Sequence, residues 1–278
     1  MTIDRSKLFQ AFKYIVYLFL AMNIYWFFVE EVLAAKTQFP NGVGIKVMIE
    51  AYAATIDTAA WVVLLLMFEL ETYVLDDEEF TRPVTWSLHG LRAICYAFIV
   101  YAFYGYIVSL LAFNSMTPLA NVNDLCALAG QWSYSTSLDE YTAITAANCQ
   151  SFSTATSFVR FDEMRAVVDF EGYKDIIALA WVDVINSGVW LLVVIVLETD
   201  VRLQERQRYD GAVLYASNSI KFVLYSLLFC AAVFWGINGD FVDFWDALLW
   251  LVAFIFIELN VFEWHKTTQE QATATAAT

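Results

Sequence analysis

Three segments of the chain repeat one pattern of polar residues inside apolar runs. Each has an Asp or Asn, a Trp four residues later, a Glu eight residues after the Trp, and a further polar residue two positions on. The copies are Asp57, Trp61, Glu69 and Glu71; Asn186, Trp190, Glu198 and Asp200; and Asp246, Trp250, Glu258 and Asn260. A charged Asp at the centre of a membrane helix costs about 2.5–3.5 kcal/mol even on a lenient insertion scale. We therefore expect these side chains to face protein or water rather than lipid.

The deeper polar positions predict either an ion pathway or a hydrogen-bond layer between helices. Asp57, Asn186 and Asp246 precede their Glu by 12 residues, and 12 residues of helix span about 18 Å. Asp183 lies one turn before Asn186. At that depth a Lys or Arg at the opposite boundary cannot easily reach them. We name Asp57, Asp183, Asn186 and Asp246 as candidates for a cation or proton pathway, and an interhelical hydrogen-bond layer is the alternative.

The Glu residues that close the pattern are predicted to meet basic residues at one membrane boundary. A Lys or Arg stands four residues before a Tyr in three other apolar runs: Lys13 and Tyr17, Arg92 and Tyr96, and Lys221 and Tyr225. We expect inner-boundary ion pairs formed from Lys13, Arg92, Lys221, Glu69, Glu198 and Glu258. Such pairing offsets much of the cost of burial. Either the pairs set helix register, or the carboxylates form a ring that gates an ion path.

The Trp and Tyr residues of the two patterns are assigned to the core. Trp61, Trp190 and Trp250 lie too deep for an interfacial aromatic belt. With Tyr17, Tyr96 and Tyr225 they form the expected repeat core, and ligand stacking is the alternative role for the Trp residues.

A helical membrane scaffold is needed to position these residues. The 278-residue chain is 60% hydrophobic and 16% charged, whereas soluble domains have roughly 45–50% apolar and about 25% charged residues. Six spans are predicted at about 13–34, 47–70, 87–112, 174–197, 218–237 and 244–264. The sequence predicts an all-α integral membrane protein with six transmembrane helices in a single membrane domain. Its three tandem hairpins, about 8–72, 86–201 and 216–265, would have approximate threefold internal pseudosymmetry.

The distribution of basic residues predicts the orientation. Placing the N-terminus in the cytoplasm puts ten basic residues inside: Arg5, Lys7, Lys13, Arg82, Arg92, Arg202, Arg206, Arg208, Lys221 and Lys266. Five fall outside: Lys36, Lys46, Arg160, Arg165 and Lys174. By the positive-inside rule both termini are cytoplasmic, and we expect a multi-pass protein of a bacterial inner membrane. The first span also has features of a signal peptide, but Lys13 and Tyr17 belong to the repeat and favour its retention.

The long loop over residues 113–173 is an insertion on the outer side. Cys126 and Cys149 are predicted to form a disulfide there. The segment VRFDEMRAVVDFEGY has the spacing of an amphipathic helix that would lie on the membrane or cap the outer mouth, and a protein partner could dock on the loop. The tail over residues 266–278 is predicted to be disordered.

Composition and motifs limit the functions that are worth considering. The net charge of −15 argues against nucleic acid binding. No P-loop, nucleophile elbow, CxxC motif or E-x-x-H pair occurs. The two His residues, His89 and His265, are predicted near the same membrane face, which would permit a bis-His haem but is weak evidence for one. We expect no cofactor, no metal and no enzymatic activity. The favoured function is transport of a cation or proton across the lipid bilayer, and the alternative is a scaffold subunit of a membrane complex.

Overall fold

The computed structural model describes residues 5–71, 75, 81–119, 124–155, 157–206, 209 and 211–256. The chain is mostly helical within these ranges but also has a five-stranded sheet, so the prediction of an all-α protein was wrong. The helices are α1 (Arg5–Gln38), α2 (Met48–Ala51), α3 (Ala53–Glu69), α4 (Arg82–Asn114), α5 (Cys149–Phe152), α6 (Phe170–Glu205) and α7 (Gly211–Asn238). A last helix, α8, is described over residues 241–256. The strands are β1 (Met116–Pro118), β2 (Ser133–Ser135), β3 (Tyr141–Ala143), β4 (Phe158–Phe161) and β5 (Ala166–Asp169).

Four helical segments are long and apolar enough to cross a membrane, as in a multi-pass membrane protein. Among the described residues these are Lys7–Gln38, Arg82–Asn114, Phe170–Leu203 and Gly211–Asn238. The described parts of the second and sixth predicted spans are largely helical too, but α3 has only 17 residues and α8 is described only to residue 256. A spanning helix needs about 20 apolar residues, so length does not identify these two as spans. The end of the sixth predicted span and the tail over 266–278 lie outside the described residues.

The long helices pack side by side in chain order. Helix α1 contacts α3, α3 contacts α4, α4 contacts α6, and α6 contacts α7. Helix α8 returns to α1, where the ring of Phe256 lies 5.1 Å from Phe9 and 5.5 Å from Phe12, between ring centroids. The bundle therefore closes on itself.

A break at Tyr52 divides the second predicted span into α2 and α3. Tyr52 has φ −135° and ψ 36°, which is not helical. The Glu31 carboxylate on α1 accepts the backbone N–H of Ala54 at 2.7 Å and of Thr55 at 3.2 Å. The first N–H groups of a helix have no partner within the helix. Glu31 therefore stabilises the start of α3 from the neighbouring helix.

Most of the segment predicted as an amphipathic helix is the β4–β5 hairpin, so that prediction was wrong; only its last four residues, 170–173, are helical, as the start of α6. Strands β4 and β5 pair antiparallel, with Val159 opposite Val168, and belong to a five-stranded sheet in the order β1-β4-β5-β2-β3. Successive side chains of a strand point to opposite faces. Phe161 and Val168 pack on one face with the ends of the long helices, while Val167 packs on the other. Because both faces are buried, the apolar positions do not alternate in the sequence, and their spacing imitates a helix.

The outer face of the sheet is covered by the rest of the loop. Cys126 and Cys149 form a disulfide, with their Cα atoms 4.8 Å apart, which confirms that prediction. Cys149 packs with Leu125, Ile144 and Val167 in a small core. We call the end of the bundle that carries the sheet the sheet end, and the end that contains Lys13 and Glu69 the ion-pair end.

Candidate functional site

A polar cavity lies between the helices in the half of the bundle nearer the sheet. Its volume is about 90 Å³, which is room for several water molecules, since one needs roughly 10–15 Å³ by the same measure. Asp57, Asp183, Asn186 and Asp246, the four candidates for an ion pathway, all line it. They come from α3, α6 and α8, so the helix packing brings them to one space.

Acidic side chains dominate the wall of this cavity. Its lining includes eight carboxylates and, among the described residues, no Lys, Arg or His. The carboxylates are Glu30, Glu31, Glu50, Asp57, Asp139, Asp183, Asp243 and Asp246. Because the described lining has no basic residue, each carboxylate that is ionised makes the potential inside more negative, which favours the entry of cations or protons.

Several polar atoms at the cavity lack a protein partner. Oδ1 of Asp57, Oδ1 of Asn186 and Nε1 of Trp235 are buried and have no hydrogen-bond partner among the described residues. The side chain of Asn23, which is 0% exposed, donates from Nδ2 to Oδ1 of Asp246 at 2.7 Å. Buried polar groups in folded proteins are nearly always satisfied. Water or a bound ion in the cavity would satisfy the atoms that face it.

Three Trp rings close the cavity on the side away from the sheet. The centroids of Trp61 and Trp190 are 6.0 Å apart, those of Trp61 and Trp250 are 6.1 Å apart, and those of Trp190 and Trp250 are 6.5 Å apart. All three rings belong to an apolar core that continues past them with Leu20 and Val193. The three Trp residues therefore lie in a buried core and also form the floor of the cavity. Tyr17 belongs to the same core, and Tyr96 and Tyr225 pack against it.

The turn between β2 and β3 reaches the cavity from the sheet. Leu138 and Asp139 of this turn line the wall. Nε2 of Gln38, at the end of α1, donates to Oδ1 of Asp139 at 3.3 Å and to Oη of Tyr141 at 3.0 Å. Burial, together with the charge of Asp240, raises the pKa of Asp139 from 3.8 to about 6, although the Gln38 hydrogen bond acts in the opposite direction. This turn therefore adds to the cavity a carboxyl group whose pKa is about 6.

At the ion-pair end the described acids of the repeat have partners. Lys13 forms an ion pair with Glu69, and their side chains are only 4% and 8% exposed. Nη2 of Arg92 donates to both carboxylate oxygens of Glu71, at 2.8 and 2.7 Å.

The third pair at this end joins α7 to α6. Nζ of Lys221 lies 3.2 Å from Oδ2 of Asp200. Oγ of Ser217 also donates to both carboxylate oxygens of Asp200, at 2.7 Å each. Oη of Tyr209 donates to Oδ2 of Asp200 at 3.0 Å as well, so Asp200 is held by a cation and two hydroxyls.

The partners of these pairs differ in part from the prediction. Arg92 and Lys221 contact Glu71 and Asp200, the second acids of the pattern, whereas the sequence pointed to the first Glu of each copy. Residues two positions apart in an α-helix point in directions about 200° apart, so Glu198 and Asp200 on α6 face different neighbours. Glu198 instead accepts from Oη of Tyr96 at 3.3 Å and lies 3.9 Å from Nη2 of Arg202. Glu258 lies outside the described residues.

No compact metal centre occurs at the cavity within the described part of the chain. The one group of three metal-ligand side chains with donor atoms within 4.8 Å of each other is Asp124, Cys126 and Cys149. The two sulfurs of that group are bonded to each other in the disulfide and are not thiolate ligands. The cavity acids are spread along the wall, as suits protons or hydrated cations better than one tightly coordinated ion.

Only three of the eight acids on this wall, Asp57, Asp183 and Asp246, were among the candidates named from the sequence. Glu30, Glu31, Glu50, Asp139 and Asp243 were not among the candidates. The signal for the first two was present, because Glu30 and Glu31 are adjacent acids inside the predicted span 13–34, where a charge has a cost. No feature of the sequence around Asp139 indicates that it lines a cavity, because its partner Gln38 is about 100 residues away in the chain.

Comparison of the chain with protein-family models, with curated proteins and with solved structures finds no match.

Proposed function

We propose that the protein transports a cation or proton and that the acidic cavity is where it is taken up. The observation that carries this proposal is the wall of eight carboxylates without a basic residue among its described lining. Carboxylates kept inside a bundle without cationic partners are costly. A membrane protein that needed only rigidity would gain more from apolar contacts at these positions.

The Trp layer gives the proposed transporter a closed barrier. An ion entering at the sheet end meets Asp57 and Asp246 and then the rings of Trp61, Trp190 and Trp250, which are in mutual contact. Passage toward the ion-pair end requires the rings to separate, because the core beyond them is apolar. The proposed cycle therefore alternates between filling the cavity and opening this layer.

We also propose that six helices span the bilayer as three hairpins around a pseudo-threefold axis. The Trp trio, one ring from each copy of the pattern, supports this arrangement. So do the repeated contacts of Tyr17 with Glu69 and of Tyr96 with Glu198. The disulfide favours an oxidising compartment at the sheet end, which fits cytoplasmic termini in a bacterial inner membrane.

The test is flux through the purified protein in liposomes. Proton entry would be followed with a pH-sensitive dye in the lumen, and entry of Na⁺ or K⁺ with cation-sensitive dyes. Asp57→Asn plus Asp246→Asn removes two charges from the cavity while keeping an oxygen at each position. We expect at least a tenfold loss of flux, since loss of an intramembrane site removes the low-energy position for the ion.

The matched control carries Asp175→Asn plus Glu163→Gln, two exposed acids outside the cavity. This control should transport like the wild type. Wild-type flux that survives the cavity variant would remove these acids from the mechanism. Absence of wild-type flux, with a stoichiometric partner retained on native purification, would favour the scaffold function instead.

A further inference from the structure

A second, larger groove lies beside the acidic cavity on the outer surface of the bundle at the sheet end. Its volume is about 570 Å³, and it is bordered by α1, the start of α8 and the β2–β3 hairpin. Tyr25 and Glu30 are among its α1 residues. The hairpin is held against α1 by the hydrogen bonds from Gln38 to Asp139 and Tyr141. The walls of the groove are thus fixed by contacts between separate elements.

Aromatic rings and carboxylates share this groove. The aromatic members are Tyr25, Trp26, Tyr141, Phe241 and Trp245, and the acids are Glu30, Asp139 and Glu140. No Lys, Arg or His occurs among the described residues that line it. The rings are accessible, since Tyr25 is 66% exposed, Trp26 is 38% exposed and Phe241 is 67% exposed. The rings of Phe241 and Trp245 lie nearly parallel, with an interplanar angle of 11° and centroids 6.3 Å apart.

We propose that this groove binds an alkylated ammonium ion. The negative faces of aromatic rings attract cations, and cages of such rings recognise quaternary ammonium groups. An ammonium ion that carries methyl groups is weakly hydrated, so it loses little on leaving water, whereas Na⁺ loses much more. The nearby carboxylates add charge complementarity. The described lining offers no basic residue to bind a phosphate or carboxylate, so the recognised chemistry is the cation itself.

The ammonium ion has two sources, a soluble molecule or the head of a choline lipid. An aromatic belt at the membrane interface would contact lipids with and without a choline head group alike. Discrimination between head groups therefore separates a binding site from a belt. The proposal concerns binding and is independent of whether the acidic cavity transports.

The first arm of the test uses tetramethylammonium chloride as the probe. Full-length protein in detergent would be titrated by calorimetry, against NaCl at the same concentrations. We expect saturable heat with tetramethylammonium only. Trp26→Leu and Phe241→Leu should each weaken binding about five- to tenfold, the loss expected for one partly desolvated cation–π contact.

The matched controls are Trp86→Leu and Glu163→Gln. Trp86 is 78% exposed at the start of α4, far from the groove, and both controls should bind like the wild type. Glu140→Gln changes an exposed acid of the hairpin turn without disturbing packing, so it keeps the test valid if an aromatic variant fails to fold. It should weaken binding roughly threefold, as for one exposed charge pair.

The second arm compares lipid retention by native mass spectrometry after purification from phosphatidylcholine or phosphatidylglycerol vesicles. Retention of phosphatidylcholine that is lost in Trp26→Leu identifies a lipid source, and tetramethylammonium binding without lipid preference identifies a soluble one. The proposal is overturned if both lipids are retained equally and tetramethylammonium does not bind. Equal binding by the groove variants and the wild type would overturn it as well.

Discussion

The two ends of the helix bundle differ in whether their buried acids have basic partners. At the ion-pair end, Glu69 pairs with Lys13, and Asp200 contacts Lys221. At the sheet end, Asp57, Asp183 and Asp246 share a cavity whose described lining contains no basic residue. The contrast separates two reasons for placing a carboxylate in a membrane helix. We propose that the paired acids hold the helices in register and that the acids facing the cavity are available to an ion.

The largest effect is expected from breaking the most buried ion pair. Lys13→Met leaves the Glu69 carboxylate in a buried site without its cation, which should cost about 3–5 kcal/mol of unfolding free energy. Chemical unfolding in detergent measures the loss, and Lys13→Met combined with Glu69→Gln should recover much of it. The exposed pair Lys174–Glu171 is the control, since Lys174→Met should change stability by less than about 0.5 kcal/mol. If Lys13→Met unfolded at the same denaturant concentration as the wild type, the structural role of the pair would be contradicted.

The next effect should be confined to the sheet end. Replacing Cys126 and Cys149 by Ala removes a cross-link between residues 23 positions apart, which typically costs about 2–4 kcal/mol. Hydrogen exchange should show lost protection in β4 and β5, while the amides around Lys13 keep theirs. Equal loss at both ends would show that the sheet and the bundle unfold as one cooperative unit.

A smaller, pH-dependent effect is expected from Asp139. Its pKa is raised from 3.8 to about 6, so the folded protein binds this proton more tightly than the unfolded chain. The contribution stabilises the fold below about pH 4 and is lost as the pH rises to about 6. Thermal unfolding of Asp139→Asn between pH 4 and pH 7 should show a weaker decline in stability than the wild type. An unchanged pH profile would show that the β2–β3 turn does not hold this carboxyl in a buried site.

The smallest effect on stability is expected at the cavity. Asp57→Asn removes a carboxylate that has no basic partner in the cavity lining, so the free energy of unfolding should stay within about 1 kcal/mol of the wild type or rise. The same chemical unfolding assay applies. A loss as large as that of Lys13→Met would mean that Asp57 is a structural acid and would remove the distinction between the two ends.

The sequence by itself determined the helices and the repeated polar layer. Hydrophobic runs of helical length and their boundaries are local properties, so α1, α4, α6 and α7 appear where the runs predict them. The twelve-residue spacing from Asp57 to Glu69 likewise sets their separation along one helix. Cys126 and Cys149, the two Cys of one loop, were predicted correctly as a disulfide because the other two Cys lie within predicted spans.

Only the tertiary structure decided which side chains meet. The rotation of α3 and α6 selects Glu71 and Asp200 for Arg92 and Lys221, and a pattern along one helix cannot set the rotation of its neighbours. The sheet depends on burial of both strand faces, and Asp139 reaches the cavity through a turn held by Gln38. These contacts join residues far apart in the chain. Their energies depend on packing and desolvation, which local residue spacing does not encode.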